Sequence, residues 1–384
     1  MQGWRRNKGI GAMEKLADIF EEPISGEWGT EVDDTCIGVP VLRTTNFTNN
    51  GIISFENVVY RNINLERKQN KILRRGDIVI EKSGGSPSQP VGRVVYYDLD
   101  SEEPFVCNNF TAILRLKKNY NPSYIFYLMH FLYAAQRTLN FQNKTTGIAN
   151  LKLKDYLEQT SVTIPSIEKQ NRCVTVLEYC QQSIARYINL QEKLDTLVKS
   201  RFIEMFGDPV TNPMGWEELS WQDVFETTTG KLDSNAAVEG GRYPFFTCAK
   251  EPFAIDTYAF DCEALLLAGN NAAGVYDVKH YNGKFNAYQR TYVLQLKTSE
   301  WQYELFKHQL EGHLKYLQRQ SIGTNTKYLT LGILHRLRFV APPIALQNQF
   351  AAFVQQVDKS KSVLQKLLEK QELLRAALMQ EYFG

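Results

Sequence analysis

The chain has 384 residues, 43% hydrophobic and 22% charged, with a formal net charge of +2. That length accommodates two or three domains, each with its own core, in an ordinary globular composition. No apolar run approaches the ~20 residues of a membrane span, and residues 1–6 are basic without the apolar stretch of a signal peptide. Six cysteines (36, 107, 173, 180, 248 and 262) form no CxxC pair, which points to reduced thiols in the cytoplasm and not to a disulfide frame.

Leu16, Ile19 and Phe20 share one face and predict a short amphipathic helix over 13–20. Strand-like runs follow at 39–43, 52–60, 77–81, 92–97 and 111–116, separated by turn residues. Ser83-Gly84-Gly85-Ser86-Pro87 interrupts that pattern and is predicted to be a loop. Ile125, Leu128, Met129 and Leu132 keep helical spacing over 122–139. A loop over 144–150 and a short strand ending at Ile164 come next. The order then recurs, with a helix near 222–225, strands over 262–267 and 291–296, a helix over 299–320, a Gly323-Thr324-Asn325 loop and a strand over 337–340.

Shifted by 177 residues, the second half of the sequence falls on the first. Ile164-Pro165-Ser166-Ile167 meets Ala341-Pro342-Pro343-Ile344, Gln170 meets Gln347, and Glu204-Met205-Phe206-Gly207 meets Glu381-Tyr382-Phe383-Gly384. An ungapped match of this kind is two copies of one helical unit. The helices are predicted at about 166–206 and 344–383. Their matched apolar positions, Leu177/Val354, Cys180/Val357, Tyr187/Leu364, Leu190/Leu367 and Leu197/Leu374, keep to one stripe, widened by Val176, Leu194 and Val198. A helix of ~38 residues is ~57 Å long, too long for one small domain to bury. Its natural partner is the other copy, packed antiparallel as a coiled-coil pair, the alternative being that each helix packs on its own module. Pro209 and Pro213 stop the first helix.

The charge is unevenly placed. Residues 208–278 carry 12 acidic against 3 basic side chains, and residues 279–338 carry 10 basic against 3 acidic. Such polarisation makes a one-sided positive face that attracts phosphates, unless folding evens it out.

The helix ending Lys199-Ser200-Arg201-Phe202-Ile203-Glu204-Met205-Phe206-Gly207-Asp208-Pro209, followed by Asn212-Pro213-Met214-Gly215-Trp216, resembles the central conserved region of type I restriction–modification specificity subunits. Arg75-Gly76-Asp77-Ile78-Val79-Ile80, Ser83-Gly84, Val91-Gly92-Arg93 and Thr146-Gly147-Ile148-Ala149-Asn150-Leu151 resemble the strands and loops of that family's target recognition domains. The second module departs from this pattern, with residues 263–269 in place of the Gly-Asp strand start and Asn270-Asn271 in place of Ser-Gly. The resemblance implies an α+β chain with an internal pseudo-two-fold repeat. Target recognition domains at 1–160 and 208–340 would be joined by conserved spacer helices at 161–207 and 341–384. It also implies a non-catalytic subunit whose two domains each read half of a bipartite, asymmetric site on double-stranded DNA. The helices would space the halves and dock two methyltransferase subunits, with restriction–translocase subunits added in the full enzyme. S-adenosylmethionine, ATP and Mg would be bound by those partners and no cofactor by this chain.

Missing motifs agree with that expectation. There is no GxxxxGK[ST] loop and no Asn-Pro-Pro-aromatic tetrad. Asp77 followed by Glu81-Lys82 lacks the alternate spacing that would put an acid and a lysine on one side of a strand. His308 and His313, five residues apart, are poorly spaced to share a metal. Reading a base edge takes Arg, Lys, Asn, Gln, Ser or Thr on loops or strand ends. In the first module the candidates are Arg43, Thr45, Asn46, Lys82, Ser83, Gly84, Lys144 and Thr145, with Arg43 suited to guanine and Asn46 to adenine. In the second they are Thr247, Lys250, Asn270, Asn271, Gln289, Arg290, Arg319 and Lys327, with Tyr288 either beside them or packed inward. Each is alternatively a turn residue without DNA contact. The competing function is a DNA mimic or a protein–protein scaffold with two binding heads.

Overall fold

The computed structural model describes residues 11–32, 37–86, 89–117, 119–145, 148–272 and 274–384, with the backbone alone at 144 and 145. These fall into two compact units, one of residues up to 185 together with 369–384, the other of residues 186–368.

In the first unit the chain runs through β1 (Ala12–Lys15), α1 (Leu16–Ile19), β2 (Ile24–Ser25), β3 (Val39–Leu42), β4 (Val59–Arg61), β5 (Ile78–Glu81), β6 (Ser83–Gly84), β7 (Val94–Tyr96), β8 (Val106–Cys107) and β9 (Thr111–Leu114). It continues through α2 (Pro122–Ala134), β10 (Gln142–Thr145), β11 (Ile148–Leu151), α3 (Leu153–Gln159), β12 (Ser161–Ile164) and the start of α4 (Ile167–Phe206). The central sheet has the order β2-β9-β5-β7, flanked by the sheets β4-β3-β8 and β10-β11-β6 and the pair β1-β12. All four residues of β5 are buried, because successive side chains serve two cores. Ile78 and Ile80 join Leu16, Ile125 and Met129 under the helices, while Val79 joins Leu42, Val95 and Ile113 on the other face. Each such side chain contributes about 1.5–3 kcal/mol.

The second unit repeats this plan with other residues. Its elements are β13 (Glu218–Ser220), α5 (Trp221–Val224), β14 (Phe225–Thr229), β15 (Tyr243–Phe246), β16 (Phe253–Ile255), β17 (Phe260–Ala268), β18 (Asn270–Asn271), β19 (Val278–Ala287) and β20 (Thr291–Leu296). Then come α6 (Tyr303–Gln320), β21 (Lys327–Tyr328), α7 (Leu331–Leu334), β22 (Arg338–Val340) and α8 (Ile344–Phe383). Its sheet order is β14-β20-β17-β19-β15-β16, with the pairs β18-β21 and β13-β22. Leu265 and Leu267 of β17 face Trp221, Phe225, Phe306 and Phe339, and Ala264 and Leu266 face Phe246 and Phe285. Phe225 meets Phe339 edge-on at 5.2 Å, a geometry worth about 0.5–1.5 kcal/mol beyond burial.

Local devices recur with the topology. Asp18 accepts from the Lys15 backbone N–H and Asp223 from that of Ser220, each closing the first turn of a short helix. A Cβ at Gly26 would lie 2.0 Å from the Asn108 carbonyl oxygen, and one at Gly230 1.9 Å from that of Ala287, so only glycine fits after β2 and β14. Gln170 accepts from Asn121 N–H and donates to the Pro165 carbonyl, both at 2.9 Å. Gln347 does the same with Gln302 N–H at 3.2 Å and the Pro342 carbonyl at 2.8 Å. These two glutamines pin the entry of each long helix to the helix of its own head.

The long helices pair antiparallel. In the second unit Gln191 donates to Gln365 at 3.1 Å and Asp195 meets Lys361. In the first, Arg375 donates to Gln181 at 3.2 Å and Tyr382 and Phe383 pack on the core that holds Cys173 and Val174. The apolar stripe is only partly covered. Leu177, Cys180, Val354 and Val357 are buried, whereas Leu190, Leu197, Leu367 and Leu374 are 38–48% exposed. A two-helix pair hides a narrow seam, and full burial is reached where a head also covers it.

Four sequence expectations are corrected. The helix expected over 13–20 begins only at Leu16, because residues 12–15 pair with β12. The run at 52–60 is a strand only from Val59; Asn57, with φ 56°, breaks the extended path. The helix expected over 122–139 ends at Ala134, where Gln136 turns left-handed with φ 57°. The loops expected at 83–87 and 144–150 contain strands: β10 and β11 make an antiparallel hairpin, and Ser83–Gly84 pairs with Ala149 and Asn150. Backbone ladders there outweigh weak side-chain propensity. Pro87, Thr146 and Gly147 lie outside the described residues.

A charged triad fastens the second unit. His280 Nδ1 lies 3.0 Å from Glu304 Oε1, its Nε2 lies 2.9 Å from Glu263 Oε1, and its ring stacks on Tyr303. Burial opposes the imidazolium, but Glu304 and then Glu263 outweigh it and hold the His280 pKa above the usual 6.5. Burial likewise pushes Glu304 up, and His280, Lys307 and His308 outweigh it and bring it below the usual value. A raised histidine pKa stabilises fully below about 6.5, and that contribution is lost as pH climbs through the folded-state value. His308 and His313, lowered by burial, act with the opposite sign. The expected result is that the stability difference between the native chain and His280→Gln shrinks as pH rises above about 6.5. Denaturant titrations across pH 5.5–9 measure it, and a pH-independent difference refutes it.

Candidate nucleic-acid interface

The candidate residues gather at the carboxyl end of the central strand of each unit. In the first, Arg93, from β7's edge, donates from Nε and Nη2 to both oxygens of Glu81 at 2.8 and 3.2 Å. Its remaining donors reach the carbonyls of Thr44 at 3.1 Å and Phe47 at 3.2 Å, so the 43–47 loop is tied to the end of β5. Beyond Glu81, Lys82 reaches Ser25, and Ser83 donates to Asn150 at 2.6 Å. The Leu151 N–H donates to the Lys82 carbonyl at 2.8 Å and docks the β10–β11 hairpin beside them. Burial lowers the Lys82 pKa.

The individual candidates differ sharply in availability. Thr45 is exposed. Arg43 is half-buried, and its Nη2 donates to the Asn57 carbonyl at 2.8 Å. Asn46 is 2% exposed; its amide donates to the carbonyls of Ser54 and Glu56 and its oxygen accepts from Arg43 N–H. That side chain is engaged in shaping its loop. Gly84 holds φ 120° within its two-residue strand. For Lys144 and Thr145 the structure gives only the place of their backbone in β10.

In the second unit Asn270–Asn271 follows β17 as Ser83–Gly84 follows β5, and it pairs with Lys327 and Tyr328. The Gly269 N–H donates to the Arg290 carbonyl at 2.8 Å, Gln289 N–H to that of Leu232 at 2.9 Å, and Cys248 Sγ to Asn270 Oδ1 at 2.6 Å. These bonds bring together residues 247–250, 269–271, 288–290 and 322–328. Lys250, Gln289, Arg290 and Arg319 are exposed, Asn270, Asn271, Lys327 and Tyr288 are half-buried, and Thr247 is buried. Lys279, absent from the sequence-derived candidates, bonds Asp277 and donates to the Ala249 carbonyl at 3.0 Å. Only the register of β17 and β19 reveals it, since residues 277 and 279 lie in a stretch without a strand signal.

The acids of the nuclease-like run are spoken for. Asp77 makes a two-pronged pair with Arg115 at 2.8–2.9 Å, and Glu81 is held by Arg93. Among the described residues no group of three or more His, Cys, Asp and Glu is placed to hold a metal ion. His308 and His313 each bond a backbone carbonyl, of Glu304 and Arg338. No described helix is long and apolar enough to cross a membrane. What the two clusters offer is a set of cationic and amide side chains on fixed backbone, a surface suited to phosphates and base edges.

Comparison with known proteins agrees with that chemistry. The family model for the type I restriction modification DNA specificity domain matches residues 13–194 and 213–375. Over 173 residues, 44% of its length, the chain is 35% identical to the specificity subunit of the EcoDI type I restriction enzyme of Escherichia coli. That stretch spans 37% of the relative. The fold is similar to that of the S subunit of a type I restriction–modification system from M. genitalium, with 15% identity, 99% of this chain and 98% of the other covered, and a TM-score of 0.62. It is also similar to a chain from a structural study of complex assembly and conformational transition of the type I R-M system, at 16% identity, 97% coverage of both and a TM-score of 0.53.

Proposed function

The chain belongs to the type I restriction–modification DNA specificity family, and from that membership we propose that it is the sequence-reading subunit of such a system. Each unit reads one half of a bipartite, asymmetric site on double-stranded DNA, and the long helices space the halves. The helices also hold two methyltransferase subunits, to which restriction–translocase subunits add. S-adenosylmethionine, ATP and Mg belong to those partners; this chain carries no catalysis of its own and works in the cytoplasm. The observation that carries the reading is the recurrence of one loop cluster, differently furnished, at the same end of the same strand in both units. Apolar side chains left exposed along α4 and α8, such as Tyr179 at 68% and Leu373 at 72%, support a partner on the helices.

The test is to assemble the chain with its methyltransferase partners and map methylated adenines. Replacing residues 1–160 by the corresponding head of a relative is expected to change one half of the motif and leave the other intact. A change in both halves overturns independent reading. Duplex binding without a steep salt dependence overturns phosphate contact and favours a protein scaffold.

A further inference from the structure

The loops that follow β3 in the first unit and β15 in the second are each held by an ion-paired cation, and the two cations come from different register positions. Glu81 and Ala268 both stand two residues before the short strands β6 and β18. Across the sheet, Val94 pairs with Ile80 and Val278 with Leu267, so Arg93 and Asp277 precede equivalent residues. Where the first unit has Glu81 and Arg93, the second therefore has Ala268 and Asp277, and the buried pair is lost. The contact is nevertheless kept. Lys279, two residues along the same strand, takes Asp277 as counter-ion and donates to the Ala249 carbonyl at 3.0 Å. Arg93 does this for the carbonyls of Thr44 and Phe47.

We infer that Arg93, with Glu81, and Lys279, with Asp277, are positioning residues that fix the reading loops 43–47 and 247–250, each for its own half-site. This rests on the proposed function. Three features support it. The side chains of Arg93 and Glu81 are 11% and 2% exposed, so the guanidinium is turned inward and has its donors on protein oxygens. Its fork spans two carboxylate oxygens and two backbone carbonyls, a task that a lysine's point charge does not reproduce. Glu81 Oε1 also lies 3.5 Å from where a Cβ at Gly84 would sit, so one buried pair underlies both the 43–47 loop and the Ser83–Gly84 strand. A base-reading group has to be held within about 0.5 Å of its productive geometry, and the side chains that fix its loop supply that hold.

The experiment uses the full chain in complex with its methyltransferase partners, carrying Arg93→Lys or Lys279→Met, on a library of sites mutated in either half. Arg93→Lys is expected to reduce discrimination roughly tenfold at one or two base pairs of the half-site read by residues 1–160, with the other half unchanged. Lys279→Met is expected to do the same in the opposite half. The salt dependence of binding stays as in the native complex, since no phosphate contact is removed. A slope shallower by about one for Lys279→Met makes that residue a phosphate contact and overturns the inference. So does a native motif with undiminished discrimination. Lys279 is partly exposed and holds one carbonyl, so its variant folds even if Arg93→Lys does not. A native complex that methylates no bipartite motif sinks the functional reading itself, a result distinct from either of these.

Discussion

Asp77→Ala is expected to cost the first unit about 3–5 kcal/mol, because it leaves Arg115 charged and buried without its partner. The Arg115 guanidinium meets both oxygens of Asp77 at 2.8–2.9 Å and reaches the Ile72 carbonyl at 3.1 Å, while the Arg74 N–H donates to the same carboxylate at 2.8 Å. The acid therefore closes the turn that enters β5 and clamps β9 beside it. Amide exchange at Ile113 and Leu114 should accelerate strongly while Leu265 and Leu294 of the second unit keep their protection. Equal acceleration in both units would refute a local role, and none in either would show that the pair is not a keystone.

The second large effect belongs to Phe350. It is fully buried among Phe202 at 5.6 Å, Phe206 at 5.5 Å and His308 at 5.2 Å, joining α8, α4 and α6 within the second unit. Phe350→Ala is expected to cost about 3–5 kcal/mol, as large aromatic truncations in packed cores do. The corresponding residue of the first repeat is Cys173, buried but small, and Cys173→Ala is expected to cost about 1 kcal/mol. Denaturant titrations of the two variants side by side check the contrast, and similar losses would contradict it.

The helices and the repeat were legible because their signals are long. Forty residues of apolar periodicity survive any single exception, and Pro165, Pro342, Gln170 and Gln347 mark the same corner twice. Strands were legible where they are buried on both sides, as Ile78–Glu81 and residues 264–268 are. They were illegible where one face is wet. Val278–Ala287 interleaves Lys279, His280, Asn282 and Lys284 with few apolar residues, and its Gly283 has φ 135°, yet it pairs along eight residues with β17. In the hairpin of β10 and β11, the first strand is written in Gln, Asn, Lys and Thr, which read as loop. The candidate site shows the same divide. Residue type and local pattern picked out segments that the fold brings together, but which side chain faces outward depends on partners far away in sequence. Asn46 looked like a base reader and is buried under Ser54 and Glu56, while Lys279 carried no local mark at all.

Tyr382 and Phe383 pack on the core of the first unit, where Phe383 meets Tyr124 at 5.1 Å and Phe131 at 6.0 Å. On the ribosome, that unit is left waiting. Its residues up to 185 emerge, then the whole of residues 186–368 is made before 369–384 arrive to finish the core. At ~5–20 residues per second the interval is roughly 10–40 s. The second unit is continuous in sequence, whereas the core of the first needs residues separated by the whole of the second. Until residues 369–384 arrive, the unfinished face of the first unit, with Leu128 and Leu132 beside the empty seat of Phe383, is open to chaperones and to neighbouring chains.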